Sequence, residues 1–177
     1  MGKILPPKPV KLVCPILRAK SVGKNEILNL LEDNFGEIDF VSDEIPFNYT
    51  NYYEKELGRD VFRFFASFKN LILPDEIVEI KIRTNELEYS FNEKKRLINL
   101  DPGYIELSKF VLATTKNYTH RIYLGKGIYA EVTLIYKDKN FQNLPWTYPD
   151  YRSEFYKEVL MNIRKIYKKQ LKEKNLL

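Results

Sequence analysis

The feature that most restricts this chain is a Gly-Lys-Gly turn set between two alternating stretches. His120–Leu124 and Ile128–Tyr136 switch between apolar and polar residues, the period of half-buried strands. Gly125-Lys126-Gly127 supplies the positive φ angles that a three-residue hairpin loop needs. Such a loop sets Leu124 opposite Ile128, Ile122 opposite Ala130 and His120 opposite Val132 on one apolar side. The other side then pairs Tyr123 with Tyr129 and Arg121 with Glu131. Aromatic and opposite-charge pairs across strands each contribute roughly 0.2–1 kcal/mol, so both faces favour this register.

The rest of the chain supplies the partners of that hairpin. After a proline-broken lead-in, Val10–Ile16 reads as a first strand with Val13 and Cys14 inside. Ile27, Leu28, Leu31 and Phe35 form the stripe of a helix capped at Ser21 or Asn25 and stopped at Gly36. Ile38 and Phe40 begin a second strand, which Pro46 ends. Val61–Phe68 alternates as a third, with Phe62, Phe64, Ala66 and Phe68 on one side and Arg63 and Ser67 on the other. Pro74, Asp75 and Glu76 suit a helix start, and Ile77, Ile80, Thr84, Leu87 and Phe91 trace its face. Leu97–Leu100 is a fourth strand, and Asp101-Pro102-Gly103-Tyr104 has the chemistry of a type II turn.

This order, β-α-β-β-α-β, is the ferredoxin-like pattern that covers one sheet face with two helices. The expected fold is therefore α+β. A short helix over Ile105–Thr115, the hairpin and a C-terminal helix striped by Phe155, Val159, Ile163, Ile166 and Tyr167 extend the core. No repeat or linker divides the 177 residues, which fit one domain. Phe47–Asp60, with Tyr49, Tyr52 and Tyr53, has no clean period. It reads as a loop or short helix over a sheet edge, packed by its tyrosines or serving as a lid.

Composition excludes several classes of function. A single cysteine, Cys14, excludes an internal disulfide and any multi-cysteine metal site. The N-terminus lacks the form of a signal peptide and no apolar run approaches a membrane span of about 20 residues, so a cytoplasmic, non-membrane protein is expected. Arg164, Lys165, Lys168, Lys169, Lys172 and Lys174, opposed only by Glu173, carry a charge of +5 that equals the net charge of the whole chain. Residues 1–163 are thus neutral. Nucleic acid has one place to bind, the basic end from about residue 164, read as a mobile tail.

Asn99–Tyr104, Leu112–Lys116, His120–Val132 and Leu144–Arg152 resemble a bacterial family of unknown function, as does the stretch Tyr49–Gly58. The resemblance covers nearly the whole chain and implies no activity, cofactor or catalytic residue. Some proteins similar to it carry a GTP-binding label, but the motif for that chemistry is missing. A P-loop needs G-x-x-x-x-G-K-[ST], so that backbone amides cradle phosphates and a hydroxyl holds magnesium. Gly23-Lys24-Asn25 has Arg18 at the first glycine position and Asn at the hydroxyl position, and Gly125-Lys126-Gly127 lies in a hairpin.

The remaining chemistry gathers in few residues. His120, Asp101 and Glu131 are the candidates for catalysis; their ordinary roles would be a strand-end histidine, a turn cap and an ion-pair partner of Arg121. Arg121, Tyr104, Trp146, Tyr148, Asp150 and Arg152 are the candidates for ligand binding. Flat rings beside Asp and Arg on a proline-stiffened loop suit a planar ligand. One His and one Cys far apart make no metal site of ordinary spacing; a magnesium site of carboxylates from Asp101, Glu131 or Asp150 is the alternative, and the sequence does not identify a cofactor. A small-ligand or nucleotide-type binding domain, whether or not it is also an enzyme, heads the functional expectations. An RNA-associated or assembly module using the basic tail is the alternative.

Overall fold

A computed structural model describes residues 2–50, 54–58, 60–92 and 95–177. Its organising element is β1 (Val10–Ala19), buried on both faces. A strand covered on both sides has no polar face to present, so Val10, Leu12, Val13, Cys14, Ile16 and Leu17 are nearly continuous apolar residues. The chain then forms α1 (Lys24–Phe35), β2 (Ile38–Val41), β3 (Ile45–Pro46), α2 (Glu54–Leu57), β4 (Val61–Ile72) and α3 (Ile77–Phe91). It continues through β5 (Ile98–Leu100), β6 (Gly103–Ile105), β7 (Lys109–Thr114), β8 (Arg121–Gly125), β9 (Ile128–Lys137), β10 (Asn140–Asn143) and α4 (Glu154–Glu173).

The fold is α+β, with one antiparallel sheet. Its main path runs β10-β9-β7-β6-β1-β4-β2, while β5 pairs with β1, β3 with β4 and β8 with β9. Alternate β1 side chains enter two cores. Leu12, Cys14 and Ile16 pack with Ile27 and Leu31 of α1 and Ile77 and Leu87 of α3. Val13 packs with Phe65, Phe110 and Leu134 under Tyr156, Leu160, Ile163 and Tyr167 of α4. Two helices thus cover one face of the sheet, and α4 covers the other.

Two segments differ from the sequence expectation, for one reason. Asp101–Tyr104 is not a tight turn, and Ile105–Thr115 is not a helix. β5 and β6 both pair with β1, and Asp101-Pro102 is the short seam between them. Gly103 lies in a strand and serves close approach: a Cβ there would lie 2.2 Å from the Val111 carbonyl oxygen. β6 and β7 then form a hairpin, Tyr104 opposite Val111. The run Phe110–Ala113 is buried, and a short fully buried apolar run suits a central strand as well as a helix. Pro15 sits opposite this seam; lacking an N–H itself, it accepts from the Asp101 amide at 3.0 Å.

The central hairpin extends the same sheet. Arg121 faces Glu131, Ile122 faces Ala130 and Tyr123 faces Tyr129 as expected, but a register shift then sets Gly125, not Leu124, opposite Ile128. Gly125, Lys126 and Gly127 all have positive φ, at 123°, 51° and 79°. Ile128 is buried and Ala130 and Val132 pack against the core as expected, but Glu131 is buried too, and Ile122, on the edge strand β8, is 68% exposed. Arg121 and Glu131 point toward the segment before α4. At α1, Gly23 rather than Ser21 or Asn25 occupies the N-cap, with no side-chain cap; Gly36 takes the C-cap with φ 88°.

The basic end is not a free tail. α4 remains helical through Glu173, Leu171 is buried, and Gln170 donates to the Lys69 carbonyl at 2.7 Å. Tyr52 and Tyr53 lie outside the described residues. Gly103→Ala should destabilise the protein by about 1–3 kcal/mol, the usual cost of overpacking, because backbone rather than a flexible side chain blocks the new methyl. Chemical denaturation measures it; an unchanged midpoint would show that β6 and β7 do not approach this closely.

Candidate functional site

β5 has only one strand neighbour, β1, while β7 pairs with β6 and β9. Beyond the bond from the Ala113 amide to the Pro102 carbonyl, 3.0 Å, β7 and β5 lie side by side without pairing and the sheet opens. A cleft of about 790 Å³ occupies the opening. Its walls come from α3, β4, β5, the end of β7, the hairpin and the loop before α4.

The open edge of β5 still has to satisfy its backbone groups, and α3 does this in place of a strand. Lys81 Nζ donates to the Leu100 carbonyl at 2.9 Å, and the Leu100 amide donates to Glu88 Oε1 at 2.5 Å. Both side chains are buried. Burial raises the Glu88 carboxyl above the ordinary range, against the pull of Lys81 and Arg96. Arg96 Nη2 lies 2.6 Å from Glu88, and its Nη1 lies 3.0 Å from Glu56.

Arg63, from the middle of β4, forms the floor. Its side chain is 3% exposed. Nη1 lies 3.6 Å from Asp101 Oδ2 and Nη2 lies 3.5 Å from Asp150 Oδ2. At these separations the contacts are ion pairs rather than good hydrogen bonds. The guanidinium also lies over the Phe47 ring, 5.2 Å from its centroid. Among the described residues, Arg63 Nε and Nη1 have no hydrogen-bond acceptor. Asp101 is fixed from its other side, accepting from Asn99 Nδ2 at 2.6 Å, with Lys81 Nζ 3.9 Å away.

Of the residues singled out from the sequence, Asp101, Glu131, Arg121, Tyr148 and Asp150 line the cleft. Arg121 Nε donates to Glu131 Oε2 at 2.9 Å and Nη2 to the Tyr148 hydroxyl at 2.7 Å. His120 Nε2 lies 2.9 Å from the same Glu131 oxygen, and its ring stacks on Trp146 with centroids 4.9 Å apart. Trp146 donates to the Val132 carbonyl at 2.8 Å. His120 and Trp146 therefore buttress Glu131 from behind the wall. Arg152 is a loop clamp, donating to the carbonyls of Thr147 and Pro145 at 2.7 and 3.1 Å. Tyr104 packs in the core beneath α1 and α3 and does not line the cleft.

Sequence reasoning passed over Arg63, Lys81 and Glu88. A usable signal was present at α3: Ile77, Lys81, Thr84 and Glu88 recur at steps of four, three and four, which is one helix face. Two charges on a buried stripe imply polar partners opposite. Arg63 announced itself only as a charged residue between phenylalanines.

On α4, Arg164 donates to the Leu107 carbonyl at 2.8 Å and lies 3.4 Å from the Tyr136 ring centroid. Lys165, Lys168, Lys169 and Lys172 are exposed along the helix, and Lys169 lies 3.8 Å from Glu173. No helix among the described residues is long and apolar enough to cross a membrane.

The model of a family described as a domain of unknown function, DUF4416, matches residues 8–167, and the chain belongs to that family. No curated protein and no solved structure matches the chain.

Burial lifts the Asp150 carboxyl above the ordinary aspartate range, only partly offset by Arg63. A carboxyl that binds its proton more tightly when folded contributes stability below its unfolded pKa of about 4, and that contribution is lost as pH rises through the folded value. The stability of the wild type minus that of Asp150→Asn should therefore fall as pH rises from about 4 and then level off. Urea titrations at a series of pH values test this; a difference that grows with pH would mean that Arg63 outweighs burial.

Proposed function

We propose that this member of the DUF4416 family is a small-ligand or nucleotide-type binding domain whose site is the cleft between β5 and β7. The observation that carries the reading is Arg63, a buried guanidinium on the cleft wall with two nitrogens lacking acceptors among the described residues. Leaving a buried donor unsatisfied costs about 1–3 kcal/mol, and a ligand that draws the guanidinium toward the cleft and gives it an acceptor would recover it. The volume also falls within the range usual for small-molecule sites. Tyr148, Arg121, Asp101 and Asp150 are the further residues assigned to the ligand, on the same wall. Tyr104 and Arg152 are left out of the site, since one is in the core and the other is engaged with loop carbonyls.

An RNA-associated role through the end of α4 has less support. Its four exposed lysines follow one helix, with no aromatic or anion-binding arrangement beside them that compares with the cleft.

The test is a thermal-shift screen of phosphorylated, carboxylated, amino and hydroxylated metabolites on wild type, Arg63→Lys and Asp101→Asn. The first substitution keeps a charge between the two aspartates but loses the planar donor fork. At least one class of compound should raise the wild-type melting temperature, by a shift equivalent to about 2.7 kcal/mol at a hundredfold excess over Kd. The shift should shrink or vanish in both variants. Equal shifts in all three proteins, or none in the wild type, would remove the cleft from the function.

A further inference from the structure

We infer that the cleft takes an uncharged polyhydroxyl ligand, either a free sugar or the ribose of a nucleoside; this rests on the reading of the cleft as a binding site.

The buried charges around the cleft already pair with one another. Arg63 stands between Asp101 and Asp150, Arg96 between Glu88 and Glu56, and Arg121 against Glu131. Lys81 adds a second cation to Asp101. An anionic ligand reaching Arg63 would meet two carboxylates on the same guanidinium. A cationic ligand reaching those carboxylates would meet Arg63 and Lys81. Either would also have to give up its own hydration in a partly buried site.

What the floor lacks is hydrogen-bond partners. Arg63 Nε and Nη1 have no acceptor, and the buried hydroxyl of Tyr151, also on the cleft wall, has no partner among the described residues. Among the described residues, Asp101 accepts one side-chain bond, at 2.6 Å from Asn99, and its contacts with Arg63 and Lys81 are 3.6 and 3.9 Å. Unfilled donors therefore lie directly beside carboxylates with spare lone pairs. A hydroxyl both accepts and donates. Two hydroxyls on neighbouring carbons can accept from Arg63 while donating to Asp101 and Asp150. A carboxylate or a fully ionised phosphate has no hydrogen with which to give that second bond.

The aromatic rim fits the same chemistry. Tyr49 and Tyr148 line the cleft and are 43% and 47% exposed. Their ring faces suit the C–H faces of a sugar or a stacked base. Arg121 holds the Tyr148 hydroxyl at 2.7 Å and so fixes that ring before any ligand arrives.

Calorimetric titration of the full chain distinguishes the possibilities, using ribose, glucose, adenosine, guanosine and 2′,3′-dideoxyadenosine, with glutamate and inorganic phosphate as charged probes. A sugar or a nucleoside should bind with an affinity insensitive to salt, because the ligand is neutral. If a nucleoside binds, removing its vicinal hydroxyls should weaken binding on the order of tenfold or more, because buried polar groups lose their partners. Binding of ribose and glucose without preference for a base would assign free sugars, and a requirement for the base would assign a nucleoside. Arg63→Lys and Tyr148→Ala should each weaken whichever binds; Tyr148 is on the rim, so that variant reports on the site without disturbing the buried floor. Salt-sensitive binding of glutamate or phosphate, with no sugar or nucleoside bound, would overturn the hydroxyl class yet leave the cleft as the site if both variants weaken it. Binding that is unchanged in both variants would overturn the cleft reading together with the inference.

Discussion

A guanidinium keeps its proton even when buried to the extent of Arg63, so its burial is tolerable only where countercharge is brought to it. Here that countercharge comes from two segments far apart in sequence, the β5–β6 seam with Asp101 and the loop before α4 with Asp150. Removing one partner of a buried ion pair typically costs about 3–5 kcal/mol, so Arg63 constrains where both segments sit. Phe47 and Tyr156 lie over the guanidinium as well, with centroids 5.2 and 6.0 Å away. One side chain thereby links the segment before α2, the seam and the last helix.

The opening in the sheet follows from how β1 is shared. β1 pairs with β5 along Ile16–Arg18 and with β6 along Lys11–Val13, leaving Cys14 and Pro15 opposite the Asp101-Pro102 seam. Prolines on both sides of that point remove donors where an unbroken ladder would need them. β6 turns into β7 and leaves β5 with a bare edge. Exposed edges invite non-native pairing, and Lys81 and Glu88 cover this one by bonding Leu100 at both its amide and its carbonyl. The cleft is thus built on strands and a helix, with its polar groups held in place by their neighbours.

The hairpin contributes a wall and its support. Glu131 accepts from Arg121 and lies within 2.9 Å of His120, while Thr133 donates to its other oxygen at 3.2 Å. Trp146 and Thr147 tie the next loop back to β9 through the carbonyls of Val132 and Thr133. The histidine that attracts attention in the sequence is a brace for a carboxylate. The buried charge at the cleft floor comes from a strand arginine with no motif around it.

The sequence by itself determined what depends on near neighbours. Residues a few positions apart share a helix face or alternate across a strand, so the α+β class, the order of β1, α1, β2, β4, α3 and β5, the stripes of α1, α3 and α4, and three of the hairpin's cross-strand pairs were legible. Glycine chemistry located the turn at Gly125–Gly127 and the helix stop at Gly36. Tertiary structure alone decided which way each face turned and which charges met. Phe110–Ala113 became a strand because β6 and β9 stood ready to pair with it. Ile122 is exposed because β8 is an edge strand, and Glu131 is buried because Arg121 and His120 meet it. Arg63, Asp101 and Asp150 converge from segments 38 and 49 positions apart in the chain. Contacts at such separations leave no local period, and the energy of a buried charge is set by what surrounds it in space.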